Sequence, residues 1–197
     1  YWTEVFNKDV DGCGSDLDEY ARRLVICALT YGHCHTLVDF PAPTEARSLA
    51  EERALNRRPY WIEVDPTKVY GWRLDRESNY GNLTQVRIGE KAVVPDGEFG
   101  EKVYDQIRVI EPGRYRVYRQ EEQKKAMQGN FPYPSSFDQS DATSEFELVE
   151  SGPYSLDQVP LVTIYANKTD TMTSRPPLLD IAHLNLAHFQ RQADLIH

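Results

Sequence analysis

The side chains best suited to chemistry cluster at a few points of the chain. His33-Cys34-His35, with Cys27 and Cys13 upstream, offers donors that zinc prefers. Zinc takes sulfur and imidazole ligands in tetrahedral reach, usually from closely spaced pairs. Here the donors abut at a helix-to-strand turn, and neighbouring residues of a strand point to opposite faces. No second pair exists. The expectation is a small buried thiol with partly exposed imidazoles. Asn7, Asp9, Asp11 and Gly12, with Asp18 in twelfth place, approximate a calcium loop, because calcium takes oxygen ligands around such a turn. Asn stands first, Asp18 is too short for the usual bidentate reach, and Gly14 replaces the apolar residue that pairs such loops. A polar turn before a capped helix is the better reading.

His183 and His188 are five apart, so on a helix they diverge and do not share a metal as an i, i+4 pair would. Asp180 lies one turn from His183, within hydrogen-bonding reach, but no nucleophile accompanies them. The sequence holds no G-x-S-x-G, P-loop or G-x-G-x-x-G motif. Gly97 and Gly100 read as turn residues, and Glu51-Glu52 and Glu121-Glu122 as solvated faces. Arg175, before Pro176 and Pro177, either reaches a carboxylate on a neighbouring element or subunit or stands solvated. No catalytic, cofactor-binding or metal residue is assigned on these patterns.

The elements that would position these groups follow from periodicity. Ser15 with Asp18 resembles a capping box, and Leu17, Tyr20, Ala21, Leu24, Val25 and Ala28 then fall on one helical face up to Gly32. Arg22 and Arg23 lie off that face. Thr36–Phe40, Tyr60–Val64, Gly71–Leu74, Leu83–Ile88, Asp105–Ile110, Arg114–Arg119, Phe146–Val149 and Leu161–Tyr165 read as strands. Asp65-Pro66 sets up one helical turn, and Ser48–Asn56 reads as a short exposed helix. Pro112-Gly113 fits the centre of a type II turn, giving a hairpin in which Ile107, Val109, Tyr115 and Val117 share the packed face. Residues 121–144 lack periodicity and read as a flexible loop.

The last stretch is a strand, a polar loop over Asn167–Ser174 and a long helix, with Ser174 as its expected cap. At 1.5 Å per residue the helix is roughly 28 Å long. Leu178, Ile181, Ala182, Leu186, Phe189, Ala193 and Ile196 form one apolar stripe and Leu184 and Leu195 a second. A helix with two stripes needs partners on two sides. The fold class is α+β: a mixed, largely antiparallel sheet flanked by an N-terminal helix and a long C-terminal helix, in one domain over residues 1–197.

Twenty-two basic against 31 acidic residues give a net charge of −9, a poor balance for gripping DNA through its phosphates. With a mean hydropathy of −0.60, composition fits a polar globular protein, and no apolar run approaches a membrane span. An odd count of three cysteines suggests a reducing, intracellular setting. The chain starts without Met and ends inside its last helix, which reads as a fragment of a longer protein.

Three segments together carry a resemblance. They are LDEYARRLVICALTYGHCHTLVDF (Leu17–Phe40), PYWIEVDPTKVYGWR (Pro59–Arg73), and Pro160-Leu161-Val162 leading to Arg175-Pro176-Pro177-Leu178-Leu179-Asp180 and Leu186-Ala187-His188. Their order resembles the portal proteins of tailed bacteriophages, in particular a portal-like family of podovirus-type phages and prophages. The likeness covers most of the chain outside 41–58 and 121–144, and none of its signatures is catalytic. It implies a non-enzymatic wing region of a ring, usually twelve-membered, at the capsid vertex of a virion assembled in the bacterial cytoplasm. Such rings pass double-stranded DNA non-specifically and dock a terminase motor, capsid and head-completion or tail proteins. They need no cofactor and no membrane. The expected subunit-interface residues are Arg175, Asp180, Leu184, His188 and Leu195. The other reading is a non-catalytic small-molecule or peptide-binding α+β module with calcium near Asp9 and Asp11. A hydrolase using His183 or His33 lacks the accompanying nucleophile and orienting acid.

Overall fold

A computed structural model describes residues 4–41, 58–75, 82–120, 146–153 and 156–196. The expected helix at Ser48–Asn56 and loop at 121–144 lie outside these residues. The chain is α+β, with helix α1 near the N-terminus, three sheets and helix α2 near the C-terminus. Where the sequence reading treats the chain as one domain, its contacts gather into two compact units. The first is Tyr1–Val69 with Pro160–His197, and the second is Tyr70–Val159.

In the first unit, α1 (Leu17–Tyr31) begins at Asp16, whose carboxylate accepts from the Glu19 N–H at 2.8 Å. Asp16, not Ser15, is the cap, because Asp16 takes the extended backbone that aims a short side chain at the first turn. The helix stops at Gly32, whose φ of 90° suits a residue without Cβ. Its buried side is Tyr20, Leu24, Cys27 and Ala28, while Ala21 and Val25 are exposed. The expected face is therefore rotated toward Cys27.

Beneath α1 runs a three-stranded antiparallel sheet in the order β2 (Tyr60–Val64), β1 (His33–Asp39), β8 (Leu161–Tyr165). Between β2 and the next strand, Asp65 caps a 3-10 turn over Pro66–Lys68, its carboxylate accepting from the Thr67 N–H at 2.9 Å. Phe6, Val10, Tyr20, Leu24, Cys27, Ala28 and Cys34 form the core on the helix side, with Trp61 packed edge-on against Phe6. Tyr20 is fully buried, and its hydroxyl reaches Thr36 Oγ1 at 3.2 Å. The expected polar loop after β8 contains a small hairpin, β9 (Lys168–Asp170) and β10 (Thr173–Ser174).

Ser174 does not cap α2 (Leu179–Ile196); its hydroxyl lies between the Gly32 and Asn167 carbonyls, which share its one hydrogen. The Ala166 N–H also donates to the Gly32 carbonyl, at 2.9 Å. The end of α1, the end of β8 and the approach to α2 thus meet at one residue.

The second unit is a five-stranded sheet in the order β3 (Val69–Leu74), β4 (Leu83–Asp96), β5 (Gly100–Glu111), β6 (Arg114–Gln120), β7 (Phe146–Pro153). The β5–β6 hairpin turns through Pro112-Gly113 as expected, with Gly113 at φ 78°. A two-residue turn sets Glu111 opposite Arg114, so Val109 stands opposite Arg116 and Ile110 opposite Tyr115. Residues directly opposite share a face. Ile110 and Val117 therefore share one face with Val86 and Ile88, whereas Ile107 and the equally buried Val109 lie on the other with Arg114 and Arg116. The expected grouping of Val109 with Tyr115 and Val117 is corrected by that register.

The face bearing Val109 holds a polar network. Burial pushes the Glu111 carboxyl up, but hydrogen bonds from Gln85 (2.7 Å) and Arg114, with the nearby Arg116, hold it below its ordinary value. The hairpin of β4 and β5 extends well beyond the predicted strands. Its register runs from Val86 opposite Ile110 to Asp96 opposite Gly100. Gly97 lies in its turn at φ 76°, whereas Gly100 is the first residue of β5. Phe99 at the tip is 94% exposed.

Candidate functional site

Strand β1 separates the cysteines from the histidines. Cys34 and Thr36 face α1, while His33, His35 and Leu37 face the other way, by the two-residue alternation of a strand. Of the five donors, Cys27 and Cys34 therefore fall in one cluster and His33 and His35 in another, with Cys13 exposed and apart.

On the helix side, Cys27 from the last turns of α1 meets Cys34, and both are buried. Glu63 of β2 joins them: its partner in register is Thr36, so it shares the face of Cys34. One carboxylate oxygen and the two sulfurs lie within 4.8 Å of one another. Burial raises both thiol pKa values. Cys34 Sγ donates weakly to the Val64 carbonyl at 3.8 Å. Arg23, just outside the cluster, binds Glu63 at 3.3 Å, Asp11 at 2.9 Å and Ser15 Oγ at 2.9 Å.

That contact also accounts for the acidic loop. Asp11 Oδ1 accepts from the N–H groups of Cys13 (2.9 Å) and Ser15 (3.2 Å), and its Oδ2 accepts from Arg23. Desolvation pushes the Asp11 carboxyl up, yet the Ser15, Cys13 and Arg23 hydrogen bonds hold it well below the usual carboxylate range. Asp9 accepts from the Gly14 N–H at 2.9 Å and from Arg58 at 2.6 Å. Arg58 also bonds the Asp9 carbonyl. These carboxylates are oriented toward protein donors and two guanidinium groups, as a polar turn requires.

On the opposite face, His35 is 1% exposed, not partly exposed as expected. Thr163, its partner in register on β8, donates its hydroxyl hydrogen to Met172 Sδ (3.2 Å) and accepts from His35 Nδ1 at 2.9 Å. This network assigns the proton to Nδ1 and leaves Nε2 a buried acceptor with no hydrogen-bond partner among the described residues. Burial lowers the His35 pKa to about 4, and His33, whose ring lies 5.0 Å away, adds to the effect. His33 is also lowered by burial and stacks on Tyr165. Met172 closes the group with φ 58°, its N–H held by the Tyr165 hydroxyl at 2.9 Å.

The expected interface residues all belong to the last segment. Arg175 Nη2 donates to Asp180 Oδ1 at 2.8 Å, pairing the approach to α2 with its own first turn. Every described side chain from Asp180 to Asp194 is exposed. Leu184 is 71% exposed and Phe189 69%, and Leu178, Ile181 and Leu186 are open as well. Leu178, Ile181, Ala182, Leu184, Asn185 and His188 border a shallow groove along one side of the helix. His183 and His188 are exposed, and Asp180 is paired with Arg175. Leu195 lies in α2, but its side chain is outside the described residues.

Glu63 and Arg23 were not singled out in the sequence. Trp61 and Glu63 alternate with Tyr60, Ile62 and Val64, so an inward Trp61 also turns Glu63 inward. That signal was available. The pairing of β1 with β2, which brings Glu63 to Cys34, was not. No protein-family model matches the chain, and no curated protein matches it in sequence.

Proposed function

We propose that this chain is a structural subunit of a ring assembly of the tailed-phage portal type, working through packing between copies and not through bond chemistry. The observation that carries the reading is the exposure of α2. Leucine, isoleucine and phenylalanine side chains stand open along the described helix, uncovered by the described residues of the first unit. Contiguous exposed apolar surface of this kind marks an interaction site. A closed ring joins two different surfaces of each subunit, and a helix with apolar stripes on two sides supplies contacts in two directions. The Arg175–Asp180 pair fixes the head of that helix. A net charge of −9 suits a conduit that lets DNA pass without holding it. In this reading the ring forms the capsid-vertex channel and docks motor and tail proteins at its two ends.

Light scattering, sedimentation and electron micrographs of the protein, with Leu184→Asp and Phe189→Asp variants, test the reading. The expected result is closed rings with a central channel, lost in both variants while circular dichroism stays unchanged. A wild-type protein that remains monomeric at all concentrations, including as part of any longer chain that carries it, overturns it.

A further inference from the structure

We propose that Cys27, Cys34 and Glu63 form a binding site for a zinc ion, placed between α1, β1 and β2. This inference is independent of the assembly reading.

The three donors come from three elements and converge within 4.8 Å of one another. In a tetrahedral zinc site with Zn–S near 2.3 Å and Zn–O near 2.0 Å, neighbouring donor atoms are roughly 3.5–3.8 Å apart. The donors therefore need to close by only about 1 Å, within the freedom of one χ1 adjustment on each side chain. The set is two sulfurs and one oxygen, and thiolate ligands favour zinc over magnesium or calcium.

The surroundings supply what a bare set of donors lacks. Glu63 is held by Arg23 Nε at 3.3 Å, and Arg23 is in turn fixed by Asp11 and Ser15. A ligating carboxylate oriented by an outer partner is the usual arrangement around a bound metal. On binding, each thiol releases its proton to solvent, so two thiolates, one carboxylate and Zn²⁺ sum to −1, beside the Arg23 guanidinium that Glu63 shares with Asp11. Without a metal, burial keeps both thiols protonated. The Cys34 sulfur is fully buried and Glu63 partly open, so an ion enters past the carboxylate. The fourth position remains for water, since three protein ligands leave a tetrahedral site open.

Cobalt and zinc titration of the reduced protein tests the site. Co²⁺ should bind one ion per chain with thiolate-to-cobalt charge-transfer absorption; Zn²⁺ added to the metal-free protein should release two protons and raise Tm, and added to the cobalt form it should remove the band with no further proton release. Cys27→Ser and Cys34→Ser should each abolish the charge-transfer band, Glu63→Gln should weaken binding about 10-fold or more, and Cys13→Ser should leave it intact. X-ray absorption of the zinc-loaded wild-type protein needs no variant, and should give two sulfur neighbours. A band that survives in both core-cysteine variants, or disappears in Cys13→Ser, overturns the proposal. So does a wild-type protein that takes no cobalt, or binds zinc through nitrogen and oxygen alone.

Discussion

Thr36 on β1 stands directly opposite Glu63 on β2, and that register places a carboxylate under α1, beside two buried thiols. An unpaired charge there would be costly, so the sheet pairing depends on Arg23 reaching over from the helix. The same guanidinium ties Asp11 of the N-terminal turn to the helix at 2.9 Å. One side chain therefore joins the turn, α1 and β2.

Arg23→Met keeps the aliphatic stem and removes those charge-assisted bonds. Hydrogen bonds to charged groups contribute about 1.5–3 kcal/mol, and the half-exposed position of Arg23 argues for the lower end. Urea denaturation should show a loss of about 1.5 kcal/mol. A change below about 0.5 kcal/mol would mean that solvent replaces Arg23 at both carboxylates.

His35 should make stability fall on acidification. Its pKa is 6.5 in the ordinary state and about 4 when folded, so above pH 6.5 the ring is neutral in both states and contributes no penalty. As pH falls from 6.5 toward 4, the unfolded chain takes up a proton that the folded one refuses. At about 1.4 kcal/mol per pKa unit, the loss approaches 3 kcal/mol. The facing groups are His33, Thr163 and Met172, with Asp65 favouring protonation from farther off. His35→Leu should flatten most of this slope in denaturation midpoints measured across pH 4–7; an unchanged slope would assign it elsewhere.

Gly32→Ala should destabilise the first unit. At φ 90° a Cβ is strained, and here it would also lie 2.9 Å from Arg175 C and Pro176 N, which are backbone atoms without a rotamer to give. A cost of roughly 2 kcal/mol or more is expected from strain and displacement together. Calorimetry on the variant should show a lowered Tm, and an unaltered Tm would mean that the segment before α2 moves freely.

Amide exchange should distinguish the helices. In a single copy, α1 amides beneath Tyr20 and Leu24 should be protected, whereas those from Asp180 to Asp194 should exchange quickly, because every described side chain of that stretch is exposed. Assembly into rings should slow them. Equal protection in monomer and ring would remove α2 from the interface.

The sequence was most informative where local chemistry alone decides. Tyr60–Val64 and Leu161–Tyr165 match the strands residue for residue, being β-branched or aromatic runs bounded by turn residues. Gly32 and Asp65-Pro66 act as read, because φ and capping preferences are local. Reading failed where partners decide. The outer half of the β4–β5 hairpin mixes Lys, Glu and Pro with valines, since much of it meets solvent, and so it lacks the alternation of a half-buried strand. Val109 is buried as expected, but not on the face of Tyr115 and Val117: the two-residue turn at Pro112-Gly113, itself legible, sets it opposite Arg116, and alternation along each strand alone does not carry that register. Of the site, the two histidines and Cys34 were legible as a group. Their division by β1 followed from alternation, while the third donor required knowing which strand lies alongside.

The β4–β5 hairpin has a mechanical consequence. Among the described residues, from Lys91 opposite Asp105 to Asp96 opposite Gly100 it runs as a two-stranded ribbon, roughly 17 Å at 3.4 Å per residue. Its base is held by Glu90, which forms an ion pair with Arg108 at 3.1 Å and accepts from Gln106 at 3.0 Å. A swing of about 5° at that base carries Phe99 about 1.5 Å sideways over such a lever. A small angular difference at one carboxylate thus corresponds to an ångström-scale displacement of a single exposed aromatic ring at the tip.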